Sequence, residues 1–218
     1  MTSSATGCIS RRPSRRLRKP VFVVNAPSAQ VAVAVAAKGP VVGSEDEVPF
    51  EILTLMLNGS SSRIESVLRR QSGITYGVHA GYESQSSMWL LRTSVDPMKI
   101  HDTVDAILEE LDRLQKDPVL ADELERTRVE YLERCGEAFE TNDAVAGALE
   151  GLFVLGRGPK RWGALVAAAR STEPSDIVRV ARRYLDRTSI VTVLAGPSAT
   201  IGSQLQWMHF PTEYSDAN

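Results

Sequence analysis

Apolar residues form several short runs along the chain that are typical of β-strands. β-branched and small apolar residues fill 21–24 and 31–37, and the turn-forming sequence Asn25-Ala26-Pro27-Ser28 separates them. Farther along, the polar segment 83–87 lies between two more such runs and is typical of a hairpin loop. We therefore predict strands at 21–24, 31–37, 74–82, 88–95 and 189–195.

Elsewhere the apolar residues recur every three or four positions, which is the period of an amphipathic helix. In the clearest case Pro97 opens the helix, apolar residues from Ile100 to Leu114 form its buried stripe, and Asp117-Pro118 ends it. The predicted helices cover 45–57, 63–70, 97–116, 120–139, 143–155, 162–170 and 174–185.

The order of these elements indicates the fold class. Consecutive strands favour antiparallel pairing, and most helices are grouped in the second half of the chain rather than alternating with strands. We predict an α+β domain in which helices pack on one face of an antiparallel sheet.

The composition is that of an ordinary globular protein. The 218 residues are 43% hydrophobic and 24% charged, with a net charge of -2, so nothing favours a nucleic-acid partner. No apolar run is long enough to span a bilayer, and no secretory signal is visible. We expect no membrane span and favour a cytoplasmic location, with an organelle or the periplasm left open.

The two ends of the chain differ from its centre. Residues 1–19 are rich in Arg and Ser, and no acidic residue precedes Glu45, so we predict a disordered basic tail, with a transit peptide or a phosphate-binding arm as alternatives. Cys8 lies in this tail and Cys135 in a predicted helix, which argues against a disulfide. The predicted domain covers 20–197, and 198–218 is a weakly structured C-terminal tail.

Several motifs occur in a fixed order along the domain. They are the strand Val31–Ala37, the Gly/Ser turn 57–63, Leu68-Arg69 followed by Gly73-Ile74-Thr75-Tyr76-Gly77-Val78, the helix start Glu123-Leu124-Glu125-Arg126, and the closing strand 191–197. Together they resemble the second, zincless type of domain in the insulinase/pitrilysin and mitochondrial-processing-peptidase family. The resemblance implies the fold of that family.

The resemblance also implies a role for two residues. In related enzymes an Arg and a Tyr, spaced as Arg69 and Tyr76 are, reach from the zincless domain to a zinc site in the partner domain and hold the substrate. A guanidinium is permanently charged and a phenol donates a hydrogen bond, so the two can hold a peptide carbonyl as charge develops on it. We expect substrate binding and transition-state support from Arg69 and Tyr76, and no catalytic residue on this chain alone.

The three histidines do not form the family's zinc motif. His79, His101 and His209 each lack the second histidine of a His-x-x-Glu-His sequence. We therefore expect no metal and no cofactor on this chain. The implied partners are a zinc-bearing insulinase-like subunit or domain, which holds the Zn, and a peptide substrate.

Each assignment has an alternative reading. Arg69 with Arg70 fits a helix C-terminus, Tyr76 fits a core or strand-pairing position, and 59–62 fits either a helix N-cap or a phosphate cradle. At the level of function, the alternatives are a catalytically inert assembly subunit of the same family, a fragment of a longer protease, and an unrelated α+β binding module.

Overall fold

One six-stranded sheet forms the base of the domain in the computed structural model. The structure describes residues 20–58, 62–72, 77–206 and 212–216, with the main chain only for 69–72 and 216. From one edge to the other, the described strands are β3 (His79–Glu83), β4 (Met88–Val95), β2 (Val31–Lys38), β5 (Val191–Gly196), β1 (Val21–Asn25) and β6 (Thr212–Asp216).

The sheet is mixed, whereas the sequence predicted an antiparallel one. The pairs β3–β4, β4–β2 and β2–β5 are antiparallel, but β1 runs parallel to both β5 and β6. The predicted neighbours β1 and β2 are separated by β5. Two hydrogen bonds account for this, because Ala26 N–H donates to the Gly196 carbonyl at 3.0 Å and Ser198 N–H donates to Asn25 Oδ1 at 3.2 Å. The end of β1 is thus attached to the end of β5, and 26–30 is a crossing rather than a hairpin turn.

Eight α-helices complete the described part of the chain and confirm the predicted α+β class. A short 3₁₀ turn at Pro97–Lys99 precedes the third of them. They are α1 (Glu47–Met56), α2 (Arg63–Ser72), α3 (Ile100–Leu114), α4 (Ala121–Glu137), α5 (Asn142–Val154), α6 (Lys160–Ser171), α7 (Pro174–Tyr184) and α8 (Ser198–Leu205).

The core lies between the helices and one face of the sheet. In β2 the buried Val31, Val33 and Val35 alternate with more exposed alanines, as expected for a strand covered on one side. From the helical side α3 contributes the predicted apolar stripe, which is buried from Ile100 to Leu114. Trp89 on β4 is fully buried in this core.

The segment after β5 is more ordered than predicted. We expected weak structure in 198–218, but α8 and β6 occupy its described residues. Ile201 and Leu205, one helical turn apart, are buried against the core, and β6 pairs with β1. Two apolar anchors on a short helix give only a weak periodic signal, which is why the pattern was missed. The predicted basic tail 1–19 falls outside the described residues, and the domain limits stay a prediction.

The N-terminus of α1 is held by a buried carboxylate. Asp46 is 1% exposed and pairs with Arg179, with Arg183 Nη1 at 2.8 Å and with the Tyr184 hydroxyl at 2.9 Å. All three donors come from α7. This cluster fixes where α1 begins relative to α7.

Candidate functional site

The corner between α2 and β3 is the region to which Arg69 and Tyr76 belong. The Ser62 hydroxyl accepts a hydrogen bond from Glu65 N–H at 3.2 Å, which is N-cap chemistry for α2. The Glu65 side chain is buried, and its Oε2 accepts from Val78 N–H at 3.2 Å. One carboxylate therefore ties α2 to the residues that lead into β3.

Further contacts hold the strand side of the same corner. Thr93 Oγ1 donates to the Gly77 carbonyl at 2.9 Å, and Asn58 Oδ1 accepts from Ala80 N–H at 3.3 Å. Gly77 has a φ of +99°, a conformation that glycine adopts without strain. The entry to β3 is thus fixed by both β4 and the end of α1.

A partly buried ion pair holds the helix side of the corner. Arg63 at the start of α2 donates from Nε to Glu123 Oε1 at 2.7 Å, and a second donor of the same guanidinium pairs with Oε2. The hydrogen bonds that Arg63 donates to Glu123 raise the pKa of Arg63, against the effect of burial. Because Glu123 lies on α4, this bidentate ion pair holds α2 against the helical layer.

The structure leaves the predicted pair untested. Residue 69 stands four positions after Glu65, so the two positions share one face of α2. The Arg69 side chain and the whole of Tyr76 lie outside the described residues, as do residues 59–61 of the predicted Gly/Ser turn. The mutual geometry of Arg69 and Tyr76 therefore stays a prediction.

Of the described histidines, His101 lies apart from this corner and His79 is the first residue of β3. On α3, His101 Nδ1 lies 3.4 Å from Asp102 Oδ1, and His101 Nε2 lies 3.7 Å from Asp105 Oδ2. Burial raises the pKa of Asp105, and His101 partly offsets this. His79 is exposed on β3, and His209 falls outside the described residues. Within the described ranges, no group of three or more His, Cys, Asp or Glu side chains could hold a metal ion.

A second feature was not anticipated from the sequence. A cavity of about 500 Å³ lies between β3 and the helices α1, α4, α5 and α6, and we call it the Glu51 cavity. Inside it the Tyr131 hydroxyl donates to Glu51 Oε2 at 2.7 Å. Burial raises the pKa of Glu51 to about 7, although the hydrogen bond from Tyr131 works in the opposite direction. The walls also include Cys135, Leu55, Leu152, Leu165 and Trp162.

The other charged groups of the Glu51 cavity already have partners. Arg161 pairs with Glu47, whose Oε2 also accepts from Gly43 N–H at 2.6 Å, and Arg134 pairs with Glu130 at 2.8 Å. In the described part of the chain, Tyr131 is the hydrogen-bond partner of Glu51, and no cation forms an ion pair with it. The cavity thus contains a carboxyl group without a counter-ion.

A sequence signal for this cavity did exist on α4. Leu124, Thr127 and Tyr131 recur at helical spacing and are buried, and Cys135 extends the same face. The many Glu and Arg residues around them made the whole helix resemble a solvated surface. The position of Glu51 opposite Tyr131 depends on contacts across 80 residues of sequence and could not be read locally.

The comparisons with known proteins define the class. Residues 4–130, more than half of the chain, match the sequence profile described as the peptidase M16 inactive domain. The chain therefore belongs to the peptidase M16 family and is an inactive domain of it. This confirms the resemblance to the zincless domain of the insulinase/pitrilysin family. The comparison with curated proteins gave no match.

Solved structures show the same fold. The peptidase M16 inactive domain from Pseudomonas fluorescens has a TM-score of 0.71 at 18% identity, covering 82% of this chain and 44% of that one. A protease from Helicobacter pylori has a TM-score of 0.70 at 22% identity, covering 80% and 43%. An inactive peptidase domain from Bordetella parapertussis has a TM-score of 0.70 at 21% identity, covering 78% and 93%.

These coverages bear on the size of the relatives. The chain spans less than half the length of the Pseudomonas and Helicobacter chains and nearly the whole of the Bordetella domain. Among the described residues, no helix has the length and apolar character needed to cross a membrane.

Proposed function

We propose that this chain is the non-catalytic, substrate-binding half of a zinc metalloendopeptidase, and that Arg69 and Tyr76 act at a zinc site held by a partner subunit or domain. Membership of the peptidase M16 family as an inactive domain supports the first part of the proposal. The hydrogen bond from Val78 N–H to Glu65 supports the second part, because it holds the α2 face that includes position 69 against the entry to β3.

The chemistry suits a supporting role in peptide hydrolysis. Zinc held by the partner would supply an activated water for attack on a peptide carbonyl, and Arg69 and Tyr76 would meet the negative charge on the carbonyl oxygen. A guanidinium and a phenol O–H fixed on a rigid corner would donate hydrogen bonds to that oxygen or to the neighbouring backbone. The Arg63–Glu123 pair and the Glu65–Val78 hydrogen bond would make the corner rigid. Glu65 is buried, and the Arg63–Glu123 pair is partly buried.

The test uses the full chain in a stable complex with a partner that bears His-x-x-Glu-His. Cleavage of a quenched fluorescent peptide is measured for Arg69→Ala and Tyr76→Phe. We expect Arg69→Ala to lower kcat/KM by about 100-fold and Tyr76→Phe by about tenfold, because each removes a donor to the developing charge. The loss should appear mainly in kcat.

Matched variants make the result specific. Arg70→Ala changes the neighbouring cation on α2, and Tyr214→Phe removes a hydroxyl from an exposed tyrosine on β6. Both should retain activity, and zinc content should be the same in all complexes. Full activity of Arg69→Ala and Tyr76→Phe would refute the assignment, and a stable complex without proteolysis would indicate the assembly-subunit alternative.

A further inference from the structure

The Glu51 cavity has the dimensions of a ligand site and lies outside the proposed Arg69/Tyr76 function. Its volume of about 500 Å³ falls in the range typical of small-ligand pockets, about 300–1,000 Å³. Much of its wall is apolar, with Leu152 and Trp162 on one side, and its polar groups Glu51 and Tyr131 face each other inside. Such a cavity fits a slender apolar stem that ends in one polar group.

The carboxylate of Glu51 indicates which polar group a ligand of the cavity would carry. Arg161 pairs with Glu47, and Arg134 pairs with Glu130, so neither forms an ion pair with Glu51, although the charge of Arg161 lowers the pKa of Glu51 by a small part of what burial adds. A carboxylate buried without a counter-ion is costly, and a cation placed beside it removes much of that cost. Glu51 with the Tyr131 hydroxyl is therefore complementary to an ammonium or guanidinium group.

The edge strand β3 beside the cavity indicates which kind of molecule carries the cation. β3 is at the edge of the sheet, and Ala80, Gly81 and Tyr82 line the cavity. Ala80 N–H points away from β4, since it donates to Asn58. Along an antiparallel strand, the main-chain N–H and C=O groups of successive residues point alternately toward and away from the paired strand. Those of Tyr82, two residues after Ala80, therefore also point away from β4. An extended peptide that adds to this edge would pass the mouth of the cavity.

We propose that the Glu51 cavity binds the lysine or arginine side chain of an extended peptide that adds to the outer edge of β3. The cation pairs with Glu51, the methylene groups pack on the apolar wall, and the peptide backbone bonds to Tyr82. This binding needs only the present chain, so its failure and the failure of the Arg69/Tyr76 proposal are separate results.

Binding of such a side chain depends on pH in a defined direction. A lysine cation binds ionised Glu51, whose pKa is about 7 without ligand, so affinity rises from pH 6 to pH 8 and then levels off. Burial raises the pKa values of Tyr131 and Cys135, and both stay protonated in this window. The titratable and charged groups around Glu51 are Glu47, Tyr82, Tyr131, Arg134, Cys135 and Arg161.

The experiment measures fluorescence anisotropy of short alanine-based peptides with a central lysine, norleucine or glutamate, bound to the full chain. We expect the lysine peptide to bind at least about tenfold more tightly than the norleucine peptide at pH 8, with a smaller ratio at pH 6. Glu51→Gln should remove the preference for lysine. Glu133→Gln, on the exposed side of α4, should keep it.

Several outcomes would overturn the proposal. Equal affinity for the lysine and norleucine peptides, or a lysine preference that survives in Glu51→Gln, would exclude the ion pair. Displacement by free butylamine at the affinity of the peptide would show a small-amine site and exclude strand addition.

A second measurement does not depend on the folding of the Glu51 variant. In the Cys8→Ser background Cys135 is the remaining thiol, and it lines the cavity. The lysine peptide should slow alkylation of Cys135 by N-ethylmaleimide at least about tenfold at saturation. An unchanged alkylation rate would place the peptide elsewhere.

Discussion

The two carboxylates Asp46, at the N-terminus of α1, and Glu51, at the centre of the helix, have very different surroundings. Asp46 is met by two guanidinium groups and a tyrosine hydroxyl, all from α7. Glu51 is met by the Tyr131 hydroxyl alone and faces a cavity. Both are largely withdrawn from water, so the difference lies in the donors that the fold supplies.

The contrast separates a structural carboxylate from one available to a ligand. At Asp46 the cations compensate for burial, and the group fixes the position of α1. At Glu51 burial is not compensated, and its pKa is raised to about 7. Along α1 and its N-cap, the carboxylate that no cation pairs with is the one that faces a cavity with room for a partner.

Removal of the structural carboxylate should give the largest effect on stability. We expect Asp46→Ala to lower the free energy of unfolding by about 3 kcal/mol, because three donors lose their acceptor. Arg179 and Arg183 are 40% and 63% exposed and can return to water, which limits the loss. Urea unfolding followed by circular dichroism measures the change.

A neighbouring carboxylate provides the control for this prediction. Glu45 is exposed, one residue before Asp46, and Glu45→Ala should change the free energy of unfolding by no more than about 0.5 kcal/mol. Equal effects of the two substitutions would contradict the anchoring role of Asp46.

Neutralisation of the cavity carboxylate should have the opposite sign and a smaller size. A carboxyl group whose pKa is raised from 4.5 to about 7 by folding stabilises the protein below pH 4.5 relative to higher pH, and this contribution is lost as pH rises to 7. The full shift corresponds to roughly 3 kcal/mol, and because Glu51 is half-buried rather than fully buried we expect Glu51→Gln to increase stability at pH 8 by on the order of 2 kcal/mol relative to its effect at pH 4.5. Urea unfolding at a series of pH values measures this difference.

The pH profile itself decides that prediction. Relative to the native protein, the stability of Glu133→Gln should not increase between pH 4.5 and 7, because Glu133 is exposed. A Glu51→Gln variant whose stability runs parallel to that of the native protein at every pH would show that Glu51 is compensated in a way the geometry does not account for.

Loss of the tyrosine hydroxyl should give the smallest effect. Tyr131→Phe removes the hydrogen bond that lowers the pKa of Glu51, so this pKa should rise further. We expect a loss of about 1 kcal/mol at pH 8 and less at pH 5, where the carboxyl group is protonated. A double-mutant cycle with Glu51→Gln measures the coupling, and additive effects at pH 8 would argue against this hydrogen bond.

Local pattern was sufficient for the elements that depend on neighbouring residues. The β3–β4 hairpin and the stripe of α3 follow from alternation and helical period, and both are present. The insertion of β5 between β1 and β2 was not predictable in this way, because the pairing of Val21 with Thr192 is set by the whole fold. The same holds for β6, whose sequence Thr212–Asp216 has little apolar alternation.

The sites show the same division. The sequence left 59–62 open as a helix N-cap or a phosphate cradle, and the hydrogen bond from Glu65 N–H to Ser62 is that of an N-cap. Arg69 and Tyr76 came from family resemblance, and their arrangement stays a prediction. The Glu51 cavity required helices distant in the sequence to be brought together, so the sequence offered Tyr131 only as one residue on a charged helix.

The parallel placement of β1 between β5 and β6 has a consequence for biosynthesis. β1 is translated before both of its neighbours in the sheet, β5 and β6, which come much later in the sequence. Until 191–216 has been translated, β1 exposes both of its edges, so its apolar residues are open to chaperones or to misassembly. The sheet can close only after 191–216 has been translated, and long-range pairing of this kind is slow.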